Sequence, residues 1–453
     1  MKLIYNVDDK PKFGQLIIFA IQQLLAIMTA TLVVPVIIGN GMDPAAALFG
    51  AGIGTLVYIL FTKKKSPVFL GSSFAFIGSM VAAFAGGVSM SLGYLGMIIG
   101  AIFAGLVYVV IAIIVKFVGV NWINKLMPAI VIGPTVAIIG LSLAGNAVGD
   151  ITKGNVLIEG VQAASPLVCL ICGLVTLFVT TICSTYGKKM TRLIPFILGI
   201  LAGYLTSVIF TAIGTWFEID ALKVISYEPF RALVANGVGL ETFIKSPNFT
   251  FLTALKGTGE LTASYISTIA VAYIPVAFVV FAEHIADHKN ISSIIEKDLL
   301  TEPGLHRTLL GDGVGSMVGA FFGGCPNTTY GESVGCVAIT ANASVVTIIA
   351  AAIGAVIISF VSPFVAFVNS IPACVMGGVC MALYGFIAVS GLKMFKFVDL
   401  EDNCNLFVVS VILISGIGGL TLTFGKVTIT SIACALILGI ITNLILSCKK
   451  NEQ

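Results

Sequence analysis

Charge is what this sequence has least of. Only 24 of its 453 residues are Lys or Arg and 21 are Asp or Glu. That is 10% of the chain, where a soluble domain carries about 25%. With 58% hydrophobic residues and a mean hydropathy of +1.09, so few polar groups cannot clothe a globule in water. A soluble protein is excluded. Histidine is scarce too, with three residues, and none stands beside the CxxC formed by Cys169 and Cys172. That pair lies in an apolar run and reads as packing, not as a metal or redox site. Long soluble segments are also missing. None is large enough for a catalytic domain, and none holds a nucleophile–base set or a phosphate loop, so an enzyme is excluded. The net charge of +3 points to no nucleic-acid partner. No cleavable signal peptide is expected, because the start "MKLIYNVDDKPKFG" is polar and the first apolar run is too long for one.

What the chain does have is apolar runs of about 20 residues, continuous rather than alternating, as membrane helices require. Strong runs fall near 13–38, 44–62, 94–115, 126–147, 165–184, 193–214, 265–286, 344–363, 368–390, 404–422 and 428–447. Weaker ones, rich in Gly and Ser or carrying charge, fall at 66–85, 305–323 and 326–341. Counted together they predict an all-α polytopic protein with 14 transmembrane segments. Basic residues favour the cytoplasmic side. With the N-terminus inside, the 14-span count leaves only Lys153, Lys223, Arg231, Lys245, Lys256 and Lys426 of the 24 basic residues outside. Both termini are therefore expected in the cytoplasm of a cell whose cytoplasmic membrane the chain spans many times.

The chain repeats itself. "LFGAGIGTLVYILF" from Leu48 matches "LLGDGVGSMVGAFF" from Leu309, an offset of 261 residues. "MPAIVIGPTVAIIG" from Met127 resembles "IPACVMGGVCMALYG" from Ile371. Span two meets nine and five meets twelve, so the unit is seven spans. An odd unit inserts its second copy upside down, a transporter signature with the substrate site near the midplane. The same register lays "SPVFLGSSFAFIGSM" from Ser66 over "CPNTTYGESVGCVAIT" from Cys325. Each has Pro, a few residues suited to extended backbone, then Gly. Two short extended strands, in segments 3 and 10, are predicted to lead into half-helices whose N-termini offer free N–H donors to one point.

Ionisable residues inside a membrane are costly and point to function. Those in or at the edge of spans are Glu283, Asp287, Asp312 and Glu332. In "FAEHIADH", Glu283 and Asp287 share one helical face, with His284 and His288 about 100° round. Glu283, inside the apolar run, and Glu332, opening a half-helix, read as functional. Asp287 either tunes Glu283 or caps the cytoplasmic edge. Asp312 reads as structural, and the two histidines as interfacial. Carboxylates would repel an anion, and a bare cation has no use for N–H donors. A small neutral lactam or imide ring uses both, and a buried Glu can carry a proton between sides.

At these residues the sequence resembles the nucleobase–ascorbate transporter family of nucleobase:cation symporters, and within it the bacterial uracil permeases. The motifs are "LGSSFAFI" (70–77), "FAEH" (281–284), "PGLHR" (303–307), "PNTTYGE" (326–332) and "VMGG" (375–378). The resemblance implies a core of spans 1–4 (13–118) and 8–11 (265–365), a gate of spans 5–7 (124–214) and 12–14 (368–448), and an extracellular loop, 215–264. It implies proton-coupled uracil import by a homodimer, with the proton as coupling ion and no cofactor or metal. Glu283 and Glu332 would bind the base by side chain, Phe74 and Gly331 by backbone, and Ala30, Tyr330 and Tyr384 would line the pocket. Glu332 favours pyrimidines, since purine-type members tend to carry Gln there. Some members have His one turn after the first Glu. This chain has Asp287 there with His288 beside it, so Glu283, Asp287 and His288 are the proton-coupling candidates. The alternatives are a purine or xanthine symporter of the same fold, and an anion exchanger or channel.

Overall fold

The computed structural model describes residues 3–450 apart from 120, 189, 236, 425 and 426. It is built almost wholly of helices. In chain order the main ones are α1 (Phe13–Ile38), α2 (Pro44–Phe61), α3 (Ile77–Ala83), α4 (Met90–Val118), α5 (Ala129–Ser142), α6 (Pro166–Tyr186) and α7 (Pro195–Trp216). There follow α8 (Ala263–Ile295), α9 (Leu305–Gly323), α10 (Gly331–Thr340), α11 (Val345–Ile358), α12 (Ala373–Lys393), α13 (Asn403–Ile417) and α14 (Ser431–Lys450). Among the described residues, eight helical stretches are long and apolar enough to cross a membrane, and four shorter apolar helices accompany them. At 1.5 Å per residue α1 extends about 39 Å, more than a bilayer core of about 30 Å. By the same rise α10 reaches only about 15 Å and needs a partner to complete a crossing.

Two strands supply that partner. β1 (Leu70–Ser72) and β2 (Asn327–Thr329) pair antiparallel, with Leu70 opposite Thr329, Gly71 opposite Thr328 and Ser72 opposite Asn327. The ladder continues at both ends: the Tyr330 N–H donates to Phe69 O (3.2 Å) and the Ser73 N–H to Pro326 O (2.9 Å). Every strand residue is buried. Backbone groups that helix breakers set free are thus satisfied inside the protein, as a membrane interior demands. A single 3-10 turn, Phe74–Phe76, joins β1 to α3.

The helices sort into two groups by packing. In one, α2 lies along α9 and α11, α4 along α8 and α9, and α1 on α2, α10 and α11. In the other, α12 packs on α5 and α6, α7 on α6, and α13 on α5 and α14. The closest approach within the first group is between α2 and α9. A Cβ added to Gly54 would stand 2.7 Å from Gly315 O, and one added to Gly315 would stand 2.8 Å from Gly54 O. Only glycine at both positions lets these backbones touch.

One expectation needs correcting. The eighth span does not stop near 286: α8 runs to Ile295. Beyond that point Asp287, His288, Ile291 and Ile295 are buried while Lys289, Asn290 and Ser293 are exposed, so hydropathy alone truncated the helix. The 215–264 segment is tied into the fold. Its first part is tied to α7, where the N–H groups of Val224 and Ile225 donate to Thr211 Oγ1. Its last part is tied to α2, where Asp43 accepts the Asn248 N–H (2.8 Å) and also caps the helix. There Phe249 meets Phe49 edge-on, ring centroids 4.9 Å apart, and Phe251 stacks on Phe321 at 4.7 Å. A cleft of about 690 Å³ opens among this loop, residues 41–45 and residues 359–369. None of the predicted site residues lines it.

Candidate functional site

The crossing of β1 and β2 positions most of the predicted residues. Tyr330 follows β2 and is the N-cap of α10, with extended backbone (φ −109°, ψ 122°). Its hydroxyl donates back to Ser72 O (2.7 Å), binding the two strands a second time. Gly331 and Glu332 then open α10, whose first N–H groups have no intrahelical partner. A carboxylate suits this position because the helix dipole is positive there. The hydroxyl of Ser333 takes the Phe69 N–H (3.0 Å) and also the amide of Gln23, so α1, β1 and α10 meet at one oxygen.

Glu283 sits in α8 between fully buried neighbours, Ala282 and His284, yet is itself only half-buried. Glu332 is likewise half-buried and Gly331 is exposed, although β2 before them is buried throughout. Asp287, one turn along α8, is buried. Its Oδ2 accepts the Thr329 hydroxyl (2.9 Å), and its Oδ1 lies 3.6 Å from where a Gly331 Cβ would be. α8 packs on α10, so Asp287 and, one turn before it, Glu283 stand on the helix that meets the start of α10, where Glu332 is. Opposite, the Phe74 ring meets Tyr384 of α12 edge-on, centroids 5.8 Å apart. Tyr384 is buried and its hydroxyl has no hydrogen-bond partner. Ala30 is buried in α1, which packs on α10.

Thus Asp287 meets Gly331, with Glu283 one turn from the former and Glu332 next to the latter, Tyr330 bracing the crossing and Phe74 joined to Tyr384. His288 does not join them. It is fully buried against α2: its Nε2 and the Tyr58 hydroxyl are 2.7 Å apart, and its Nδ1 bonds His284 O (2.8 Å). The expectation of interfacial histidines is wrong for both. His284 is also fully buried, between Asp312 Oδ2 (2.7 Å) and the Thr308 hydroxyl (3.0 Å) of α9, and the two rings stack at 4.0 Å. Nor does Asp287 cap a cytoplasmic edge; the Thr329 hydroxyl claims it. These polar partners spare the side chains the cost of burial. Sequence reading missed Gln23, Tyr58 and Thr329. Gln23 had a visible signal, a polar residue in the run "AIQQLLAIM". Tyr58 had none, since a Tyr in an apolar run is ordinary.

The Permease family model (Xan_ur_permease) matches residues 14–424. Uracil permease of Bacillus caldolyticus is 39% identical over 452 residues, covering 98% of this chain and 95% of that one. Uracil permease of Escherichia coli K12 is 35% identical over 442 residues, 97% of this chain and 93% of that one. A putative pyrimidine permease of the same organism is 31% identical over 451 residues, 98% of this chain and 92% of that one. Among solved structures, the transmembrane domain of the cyanobacterial bicarbonate transporter BicA superposes with a TM-score of 0.63 at 14% identity, over 97% of this chain and 100% of that one. The anion transporter SLC26A9 superposes with a TM-score of 0.64 at 12% identity, over 97% of this chain and 66% of that one. At such identity these two show a shared fold and nothing finer.

Proposed function

This chain belongs to the Permease family and is a multi-pass membrane transporter, not an enzyme, and from that premise we propose that it imports uracil together with protons across the cytoplasmic membrane by alternating access. The observation that carries this reading is that Asp287, one turn from Glu283, lies against the open N-terminus of α10, which bears Glu332. Uracil presents ring N–H donors and carbonyl acceptors. Glu283 and Glu332 accept the N–H bonds by side chain. The backbone N–H groups at Gly331 and Phe74 meet the carbonyls, and Ala30, Tyr330 and Tyr384 enclose the ring. The relatives named uracil permease support the choice of base. Glu283 holds the transported proton and Asp287, beside it, tunes it; His288 acts only through the helix. No cofactor is needed.

Fourteen segments in two inverted halves of seven fit the contacts at the centre. Gly54 and Gly315, which touch, are counterparts under the 261-residue offset. Aligning Pro67 with Pro326 makes Leu70 the counterpart of Thr329, and these two pair face to face. Antiparallel strands paired through their own counterparts are what a two-fold axis across the ladder produces. The two packing groups, spans 1–4 with 8–11 and spans 5–7 with 12–14, act as core and gate that move against each other. Both termini lie in the cytoplasm, where the basic clusters collect. Assembly as a homodimer is testable by light scattering.

The test is uptake of labelled uracil into proteoliposomes under an imposed pH gradient. Uptake should follow the gradient; indifference to it ends the coupling. Glu283→Ala should lower uracil affinity by about 10- to 150-fold, the loss expected of a charge-assisted hydrogen bond. Unchanged affinity removes Glu283 from the site. A second reading, anion exchange, has in its favour the fold shared with anion transporters. It predicts that Glu332→Gln helps transport, whereas base binding predicts that it hurts. Strong competition by xanthine would instead favour a purine symporter.

A further inference from the structure

The N-terminal segment before α1 does not hang free. Residues 4–7 run parallel to residues 341–345, the link between α10 and α11, with Tyr5 bridged to Asn342. The Ile4 N–H donates to Ala341 O (2.7 Å), the Ala343 N–H to Tyr5 O (2.9 Å) and the Val345 N–H to Val7 O (3.1 Å). The Ser344 hydroxyl donates to Asp9 O (2.6 Å). Val7 is 4% exposed, and the Tyr5 ring meets Phe19 of α1 edge-on at 6.0 Å. Ala341, the residue that receives the first bond, ends α10 in a left-handed turn (φ 53°).

We propose that the segment Leu3–Asp9 is a positioning element for the base site: it holds the C-terminal end of α10 and so fixes where Glu332, at the other end, stands. This rests on the reading of Glu332 as a base ligand. A helix of ten residues is a short rigid rod, and its first turn is anchored through Ser333, the β2 pairing and packing on α1 and α8. The carbonyls of its last turn lack intrahelical donors. Ile4 bonds the carbonyl of Ala341, the C-cap residue just past that turn, and the segment's pairing fixes the chain that follows. Freed from that hold, α10 slides or tilts and Glu332 loses its alignment with Glu283.

The experiment compares the full chain with one lacking residues 2–8, with Val7→Asp and with Val7→Ile. Uracil uptake against concentration, melting without base, and amide exchange at Ala343 and Val345 are read on each. Removal and Val7→Asp should raise KM about fivefold while kcat stays within about twofold, the size expected from loosening one charged hydrogen bond. Melting should fall, because four hydrogen bonds and the buried Val7 are lost or disturbed, but KM should rise by more than in Tyr265→Phe at a matched fall in melting, and exchange at both amides should be faster. Val7→Ile should match the parent. An unchanged KM despite faster exchange overturns the proposal, as does slow exchange that survives removal. A KM that rises only in step with a fall in melting temperature reduces the segment to a structural support and overturns it too. A parent that takes up neither uracil nor xanthine refutes the site reading itself, before any variant is compared.

Discussion

The half-helices α3 and α10 do the same geometric job with different chemistry. Each follows a strand of the central ladder and each begins inside the protein. α3 has no acidic residue in its first turn, and what precedes it is a 3-10 turn bearing Phe74, whose ring rests on Tyr384. α10 begins with a carboxylate, Glu332. Their far ends differ too. The α3 end is held by a side chain of the bundle: the Tyr265 hydroxyl, from the start of α8, donates to Ala83 O (2.6 Å). The α10 end is held by backbone pairing with residues 4–7. One arm is built for shape and the other for charge.

Breaking the frame that both arms share should have the largest effect. Gly54→Leu and Gly315→Leu each drive a side chain into the opposite backbone. Each should cost well over the ~1–3 kcal/mol typical of overpacking and abolish the folded, monodisperse protein in detergent. A large difference between the two would argue against their equivalence. Next comes the charge. Glu332→Ala should weaken uracil binding about 10- to 150-fold, as for a lost charge-assisted bond. Phe74→Ala, which keeps the backbone donor and loses one ring contact, should cost about 2- to 12-fold. Equal losses, measured by binding calorimetry, would erase the contrast between the arms. Tyr265→Phe removes one hydrogen bond from the α3 end and should lower stability by about 1 kcal/mol with uracil KM unmoved, whereas freeing the α10 end raises KM.

The smallest effect belongs to the entry of β1. Lys65 there pairs with Glu302, both exposed. The hydrogen bond and charge of Lys65 hold the Glu302 carboxyl below its usual range. A carboxyl lowered in the folded state stabilises above its unfolded pKa, and that contribution fades as pH falls through the folded value. The melting-temperature difference between parent and Glu302→Gln should therefore be small near pH 7 and vanish below about pH 4.

The contrast between the arms also explains what could be read in advance. Pro67, Pro326 and the glycines after them are visible because breaking a helix takes particular residues. Glu283 and Glu332 are visible because charge in an apolar run is conspicuous. His284 and His288 were misplaced because a polar residue near the end of a run reads as interfacial unless its partners are known. Those partners, Asp312 and Tyr58, are distant in sequence. The pairing of residues 4–7 with 341–345 was invisible for a different reason: backbone bonds leave no trace in side-chain identity. The grip of Tyr265 on Ala83 is half hidden in the same way, since its acceptor is a carbonyl.

The ladder between Leu70–Ser72 and Asn327–Thr329 has three rungs, and every residue in them is buried. Unzipping it would strand several amide groups in a greasy surrounding, each at a cost of about several kcal/mol. It is therefore luggage rather than a latch. In the proposed cycle the joined strands travel together intact, and a base resting on them travels with its cradle.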